Sequence, residues 1–103
     1  MTTHPMVGKN VIVRANVAGL HVGTVESIDG CMVIITRVRR LWRVYTRDVT
    51  GSISDVAANG LKEDAIHNIG AEVPRVCIIN PPGLEIDEMT PHAYASVMAY
   101  PVK

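Results

Sequence analysis

The chain has 103 residues, 48% of them apolar, and its ten basic and ten acidic residues cancel to a net charge of zero. That length fits one domain, burying roughly 60–65% of the unfolded surface, and the apolar fraction excludes a disordered polypeptide. A neutral total also argues against a non-specific nucleic-acid coat, which needs a net basic field.

The neutral total hides an uneven distribution. Residues 31–47 hold five arginines and no acid, whereas residues 48–103 hold eight acids and three bases. A local basic patch on a neutral body suits a small anionic ligand. No apolar run approaches the roughly 18 residues of a membrane span. The opening MTTHPMVGKN has no basic region followed by an apolar stretch, so no signal peptide is expected. Residues 1–9 are expected to be a flexible N-terminus to a single domain. The two cysteines, Cys31 and Cys77, match no metal or redox spacing and are expected to be buried thiols of a cytosolic chain. The histidines are scattered, so no metal is expected, and no cofactor is implied.

In chain order, Asn10–Val17 is β-branched and reads as a strand, followed by a second over Gly19–Asp29. Asp29-Gly30 is a hairpin signal, and Cys31–Val38 is the return strand. Gly19 and Gly23 mark either a bulge or bend in the second strand, or a place where a ligand or another backbone comes close.

The stretch RVRRLWRVYTRD then gathers five of the chain's seven arginines, its one tryptophan and one of three tyrosines. If the chain stays extended, alternation puts Arg37, Arg39, Leu41, Arg43, Tyr45 and Arg47 on one face. Thr36, Val38, Arg40, Trp42, Val44 and Thr46 fall on the other, which looks like core with Trp42 its largest member. A turn near Arg39-Arg40 would shift this sorting.

Ser52-x-x-Asp55 is a capping box opening a helix of at most two turns, with Asn59-Gly60 as its left-handed stop. LKEDAIHNIG reads as loop. AEVPRVCIIN is a strand whose Pro74 marks an edge or an entry point, and a short strand follows from about Leu84 to Asp87. The last helix has Thr90 as N-cap and Pro91 at its first position. Its stripe of Ala93, Tyr94, Val97 and Met98 would dock on the sheet or pair with another subunit. The fold class is a β-rich α+β domain. Five or six antiparallel strands form a small, strongly bent sheet or barrel with two short helices.

No nucleophile motif, Walker loop or dinucleotide glycine pattern is present, so an enzyme is not expected. Glu85, Asp87 and Glu88 read as a solvated acidic strand end. Guanidinium groups hold phosphates through paired hydrogen bonds, and aromatic and guanidinium planes stack on bases. Arg39, Arg40 and Arg43 with Trp42 or Tyr45 therefore suit a nucleotide-sized ligand. The alternative is a solvated arginine face that pairs with the acidic C-terminal half, within the chain or in another subunit.

VIVRANVAGLHVGTVESIDGCMVIITRVRRLW followed by GSISDVAANGLKED resembles a widespread family of small tailed-phage proteins recorded as a domain of unknown function. The shared features are Arg14, Ala18-Gly19-Leu20-His21 with Gly23, Arg39-Arg40-Leu41-Trp42, and the Gly51-Ser52-Ile53-Ser54 helix opening. Where the family has a further aromatic after the tryptophan, this chain has Arg43-Val44-Tyr45, with four extra residues before the helix.

The resemblance implies an anti-CBASS sponge, a homo-oligomer (dimer or tetramer). It would sequester a cyclic dinucleotide in the cytoplasm of the infected bacterial host without cleaving it. Arg39, Arg40 and Arg43 would hold phosphates with help from Arg14. Trp42 and Tyr45 would stack on bases, and His21 and Ser52 would contact base edges or phosphate. A module that inhibits a host protein through the same Arg/Trp/Tyr patch is the alternative, and a structural phage component is a third reading.

Overall fold

A computed structural model describes residues 4–15, 19–30, 32–44, 53–62, 65–79 and 84–102, with backbone alone at position 43. Among them are β1 (Asn10–Ala15), β2 (Gly19–Asp29), β3 (Met32–Arg43), α1 (Ile53–Asn59), β4 (Asn68–Ile69), β5 (Val73–Ile79), β6 (Glu85–Glu88) and α2 (Pro91–Met98). The strands form one antiparallel sheet in the order β4-β3-β2-β1-β6, and β5 also pairs with β3. The long β3 therefore meets β2 on one side and, in turn, β5 and β4 on the other. The sheet is open, not a closed barrel, and the expected class of a β-rich fold with two short helices holds.

Alternation along β1 sets up two cores. Ile12 faces α1 and α2 and joins Val22, Leu41, Ile53, Val56, Ile69, Ala93 and Val97. Val11, Val13 and Ala15 face the other way, to Val25, Val33, Ile35, Val38 and Ile78. No helix contributes to that second cluster. It nonetheless joins side chains of β1 and β5, which are not neighbours in the sheet, so the sheet must curl around it. The bends are provided by two register shifts between β2 and β3, at Val22/Thr24 and Val25/Ser27.

The first shift is a bulge with visible causes. Thr24 pairs with Thr36 and Val22 with Arg39, so two residues of β3, Arg37 and Val38, oppose Gly23 alone. Arg37 adopts a left-handed φ of 53°, the one positive value at a non-glycine among the described residues. A Cβ at Gly23 would stand 2.6 Å from Ile35 Cγ2 and 2.7 Å from the Thr36 carbonyl oxygen. Gly23 thus lies at a bulge and also meets the close approach of another backbone, at the Thr36 carbonyl.

The helices follow their sequence signals. Thr90 accepts from the Ala93 amide at 3.1 Å as the α2 N-cap, and Gly60 ends α1 at φ +82°. Ala93 and Val97 dock on the chain's own core. The hairpin reversal lies one residue later than Asp29-Gly30 indicates, since Asp29 pairs with Met32. Within LKEDAIHNIG, read as loop, Asn68–Ile69 forms the two-residue strand β4. The expectation of buried thiols fails for Cys77, which is exposed. It lies on the outer strand β5, whose alternate side chains turn to solvent, as does Ile79 at 72% exposure. Cys31 lies outside the described residues.

Gly23→Ala tests the bulge. Its methyl must displace a strand carbonyl, an overpacking that costs about 1–3 kcal/mol. At ~4–8 °C per kcal/mol for a domain of this size, thermal unfolding should drop by roughly 5–20 °C. An unchanged midpoint would show that the bulge accepts a side chain.

Candidate functional site

The bulge decides where the arginines go. Arg39 pairs with Val22 and so shares the helix-covered face with Leu41. Its side chain is 3% exposed. Nε donates to the Gly70 carbonyl at 2.8 Å and Nη1 to those of Val97 at 2.8 Å and Met98 at 3.3 Å, with a further bond to Tyr100 O. Val97 and Met98 are the last residues of α2, whose final carbonyls have no partner within the helix. A cation there satisfies them and complements the helix dipole. Burial lowers the Arg39 pKa, with Glu72 opposing. Arg39 thus joins α2 to the sheet, and the structure places it away from any site on the other face.

Arg40 projects from the opposite face. It pairs with His21 across the β2–β3 ladder, and His21 with Val13 on β1. The guanidinium carbon lies 4.0 Å from the centroid of the Trp42 ring, a cation–π contact worth about 0.5–1 kcal/mol at an exposed site. The same group packs beside Gly19, where a Cβ would stand 3.4 Å from Nη2. Gly19, at φ +82°, therefore admits a close approach, made by this arginine. No acidic partner of Arg40 occurs among the described residues.

Trp42 is not core. It is 64% exposed, with its indole nitrogen over Gly70 at 3.5 Å from where a Cβ would sit. Alternation rightly puts Arg40 and Trp42 together, but it misplaces the interior. Beyond the bulge the helices cover the Arg39–Leu41 side, and the Arg40–Trp42 side runs past the end of the second core.

His21 sits behind Arg40 at 6% exposure, and its Nδ1 has no hydrogen-bond partner. Burial, then the Arg40 charge, lowers its pKa below the ordinary 6.5, against a raising contact from the Gly19 backbone.

Gly19, His21, Arg40 and Trp42 therefore form one patch. Arg14 is not part of it. It is exposed on the helix side, paired with Leu20 and Glu85. Glu85 there is raised by a hydrogen bond and repulsion from Asp87, and Arg14 opposes the rise. Tyr45, Ser52 and the side chain of Arg43 lie outside the described residues. Gly70, beneath the indole, carries no chemical signal in the sequence. Among the described residues no three His, Cys, Asp or Glu side chains gather as a metal site, and no helix is long and apolar enough to cross a membrane.

Two adjacent arginines with different roles give a direct contrast. Arg39→Met removes the guanidinium donors from the carbonyls of Gly70, Val97, Met98 and Tyr100 and should cost about 3 kcal/mol, whereas Arg40→Met should cost less than about 1 kcal/mol. Comparable losses in thermal unfolding would contradict this division. His21 adds a pH dependence. The unfolded chain binds a proton at 6.5 and the folded chain only below that. Its stabilising contribution is therefore full above about pH 6.5 and is lost as pH falls through the lower folded value. His21→Leu should flatten the stability profile between pH 7.5 and 5, and an unaltered profile would remove His21 as its source.

No curated protein matches the chain, and no solved structure does. The family DUF6948, described as a domain of unknown function, matches residues 8–97, from just before β1 nearly to the end of α2, and takes in the whole patch. The chain is a member of the DUF6948 family.

Proposed function

We propose that the protein is a binding protein for a small phosphate-bearing nucleotide, and that its working site is the Arg40–Trp42–His21 patch. The observation that supports this most is Arg40 itself, a cation stacked on an exposed indole with no acidic partner among the described residues. Arg75 and Arg37, by contrast, lie 2.8 Å from Glu26 and 3.8 Å from Glu72. An anion would fill the gap at Arg40, and the exposed Trp42 ring offers a platform for a base.

The resemblance to small phage proteins supplies the biological setting: a phage immune-evasion protein that sequesters a cyclic dinucleotide signal of the CBASS type. Sequestration requires affinity and stoichiometry alone, so the reading includes no cleavage. A homo-oligomer would let two patches hold the two halves of such a ligand. Arg43, Tyr45 and Ser52 follow or flank the patch in sequence and remain candidates to complete it.

A thermal-shift panel of cyclic di- and trinucleotides, with linear nucleotides as controls, tests the proposal. A ligand at 100 times its dissociation constant should stabilise the fold by about 2.7 kcal/mol. The shift should be selective, should weaken with added salt, and should vanish in Arg40→Ala and Trp42→Ala while both variants stay folded. A flat panel would contradict it and leave Trp42 and Arg40 as the hot spot of a protein interface.

A further inference from the structure

A ring that stacks on a base must be held in one orientation. Leu41 pairs with Ile69 and Arg43 with Asn68, so Trp42 is the extra residue of another bulge, where β3 meets β4. A bulge re-aims the side chain it carries. Two groups then meet the ring. The Arg40 guanidinium carbon lies 4.0 Å from its centroid, and Gly70 comes so close that a Cβ there would stand 3.5 Å from the indole nitrogen.

Gly70 is itself fixed from both sides. Its amide donates to the Arg40 carbonyl at 2.8 Å, and its carbonyl accepts from Arg39 Nε at 2.8 Å. Its backbone does not call for glycine, because its φ is not positive, unlike that of Gly8, Gly19, Gly30 and Gly60. A Cβ would meet the indole nitrogen and, at 3.7 Å, the Arg40 carbonyl oxygen, both at ordinary contact distance. Alanine at such a position stabilises a chain by restricting its unfolded state. A larger side chain would instead take the space beside the indole.

Building on the binding reading, we propose that Gly70 is a positioning residue of the site. Its missing side chain seats the Trp42 ring against the chain just beyond β4, in the orientation that meets a base beside the Arg40 guanidinium. One methyl fits against the ring. A branched side chain reaches past contact distance and pushes the ring off its seat and away from Arg40. Gly70 acts through Trp42 and need not touch the ligand.

The test compares wild type, Gly70→Ala and Gly70→Val in calorimetric binding of cyclic di-AMP, cyclic di-GMP and cyclic GMP-AMP. Thermal unfolding and the nitrogen–proton NMR signal of the single indole are followed alongside. Gly70→Ala should match wild-type affinity within about a factor of two, and Gly70→Val should bind about tenfold more weakly, about 1.4 kcal/mol. The valine variant should also show a displaced indole signal at a thermal midpoint close to that of wild type.

A valine variant that binds as wild type does would overturn the positioning role and leave the binding site standing. If valine prevents folding, the wild-type protein decides. The nuclear Overhauser contact between the indole N–H and the Gly70 α-protons should persist at saturation with the bound cyclic dinucleotide, and its loss would overturn the seat. Silence of all three cyclic dinucleotides on wild type would remove the binding reading and the positioning role with it.

Discussion

The bulge opposite Gly23 is the constraint on which the rest depends. A β-strand alternates strictly, so without it residues 33, 35, 37, 39 and 41 would share one face. The extra residue, taken up by Arg37 at φ 53°, moves Val38 to the face of Val33 and Ile35 and sends Arg39 and Leu41 to the other. One residue of slip thus sends one arginine under a helix and the next toward solvent. It also bends the sheet, which lets the second core close without α1 or α2 over it.

The two arginines illustrate how context outweighs residue type. Arg39 is surrounded by the carbonyl oxygens of Gly70, Val97, Met98 and Tyr100, and its charge is used to complete a helix end. Arg40 lies against the Trp42 ring and beside Gly19, and its charge has no acidic partner among the described residues. The fold needs the first arginine, and the proposed binding activity needs the second. That separation is what makes a binding-defective, folded variant possible. His21 links the two levels, because it is buried enough to matter for stability and close enough to Arg40 to feel its charge.

The strands other than β4, both helices, the Thr90 cap and the Asn59-Gly60 stop were legible in the sequence, because each rests on local signals: β-branched runs, Thr90-Pro91, Asn59-Gly60, and Pro74 in the strand β5. The patch was legible as a neighbourhood of arginines and rings. Its division was not. Arg39 and Arg40 are chemically identical, and what separates them is a bulge whose one sequence trace is Gly23. Alternation put Trp42 on the face that looked like core, while its ring chemistry also suited a base, and sequence alone did not decide between them. Here the end of the Arg40 face has no covering element among the described residues. Arg39 was matched to a phosphate because its acceptors are main-chain carbonyls 31 to 61 residues away, which no local pattern records.

The central claim is that Arg40 and Trp42 meet the ligand together. Because the chain has a single tryptophan, its indole N–H gives one unambiguous signal in a nitrogen–proton NMR spectrum, and the Arg40 Nε–H can be assigned by comparison with Arg40→Lys. Titration with the cyclic dinucleotide that gives the largest thermal shift is the most direct measurement. The account predicts that both signals move in a single saturable transition while the Arg39 Nε–H, bound to Gly70, stays in place. Saturation that moves Arg39 and leaves Trp42 and Arg40 unaltered would contradict it.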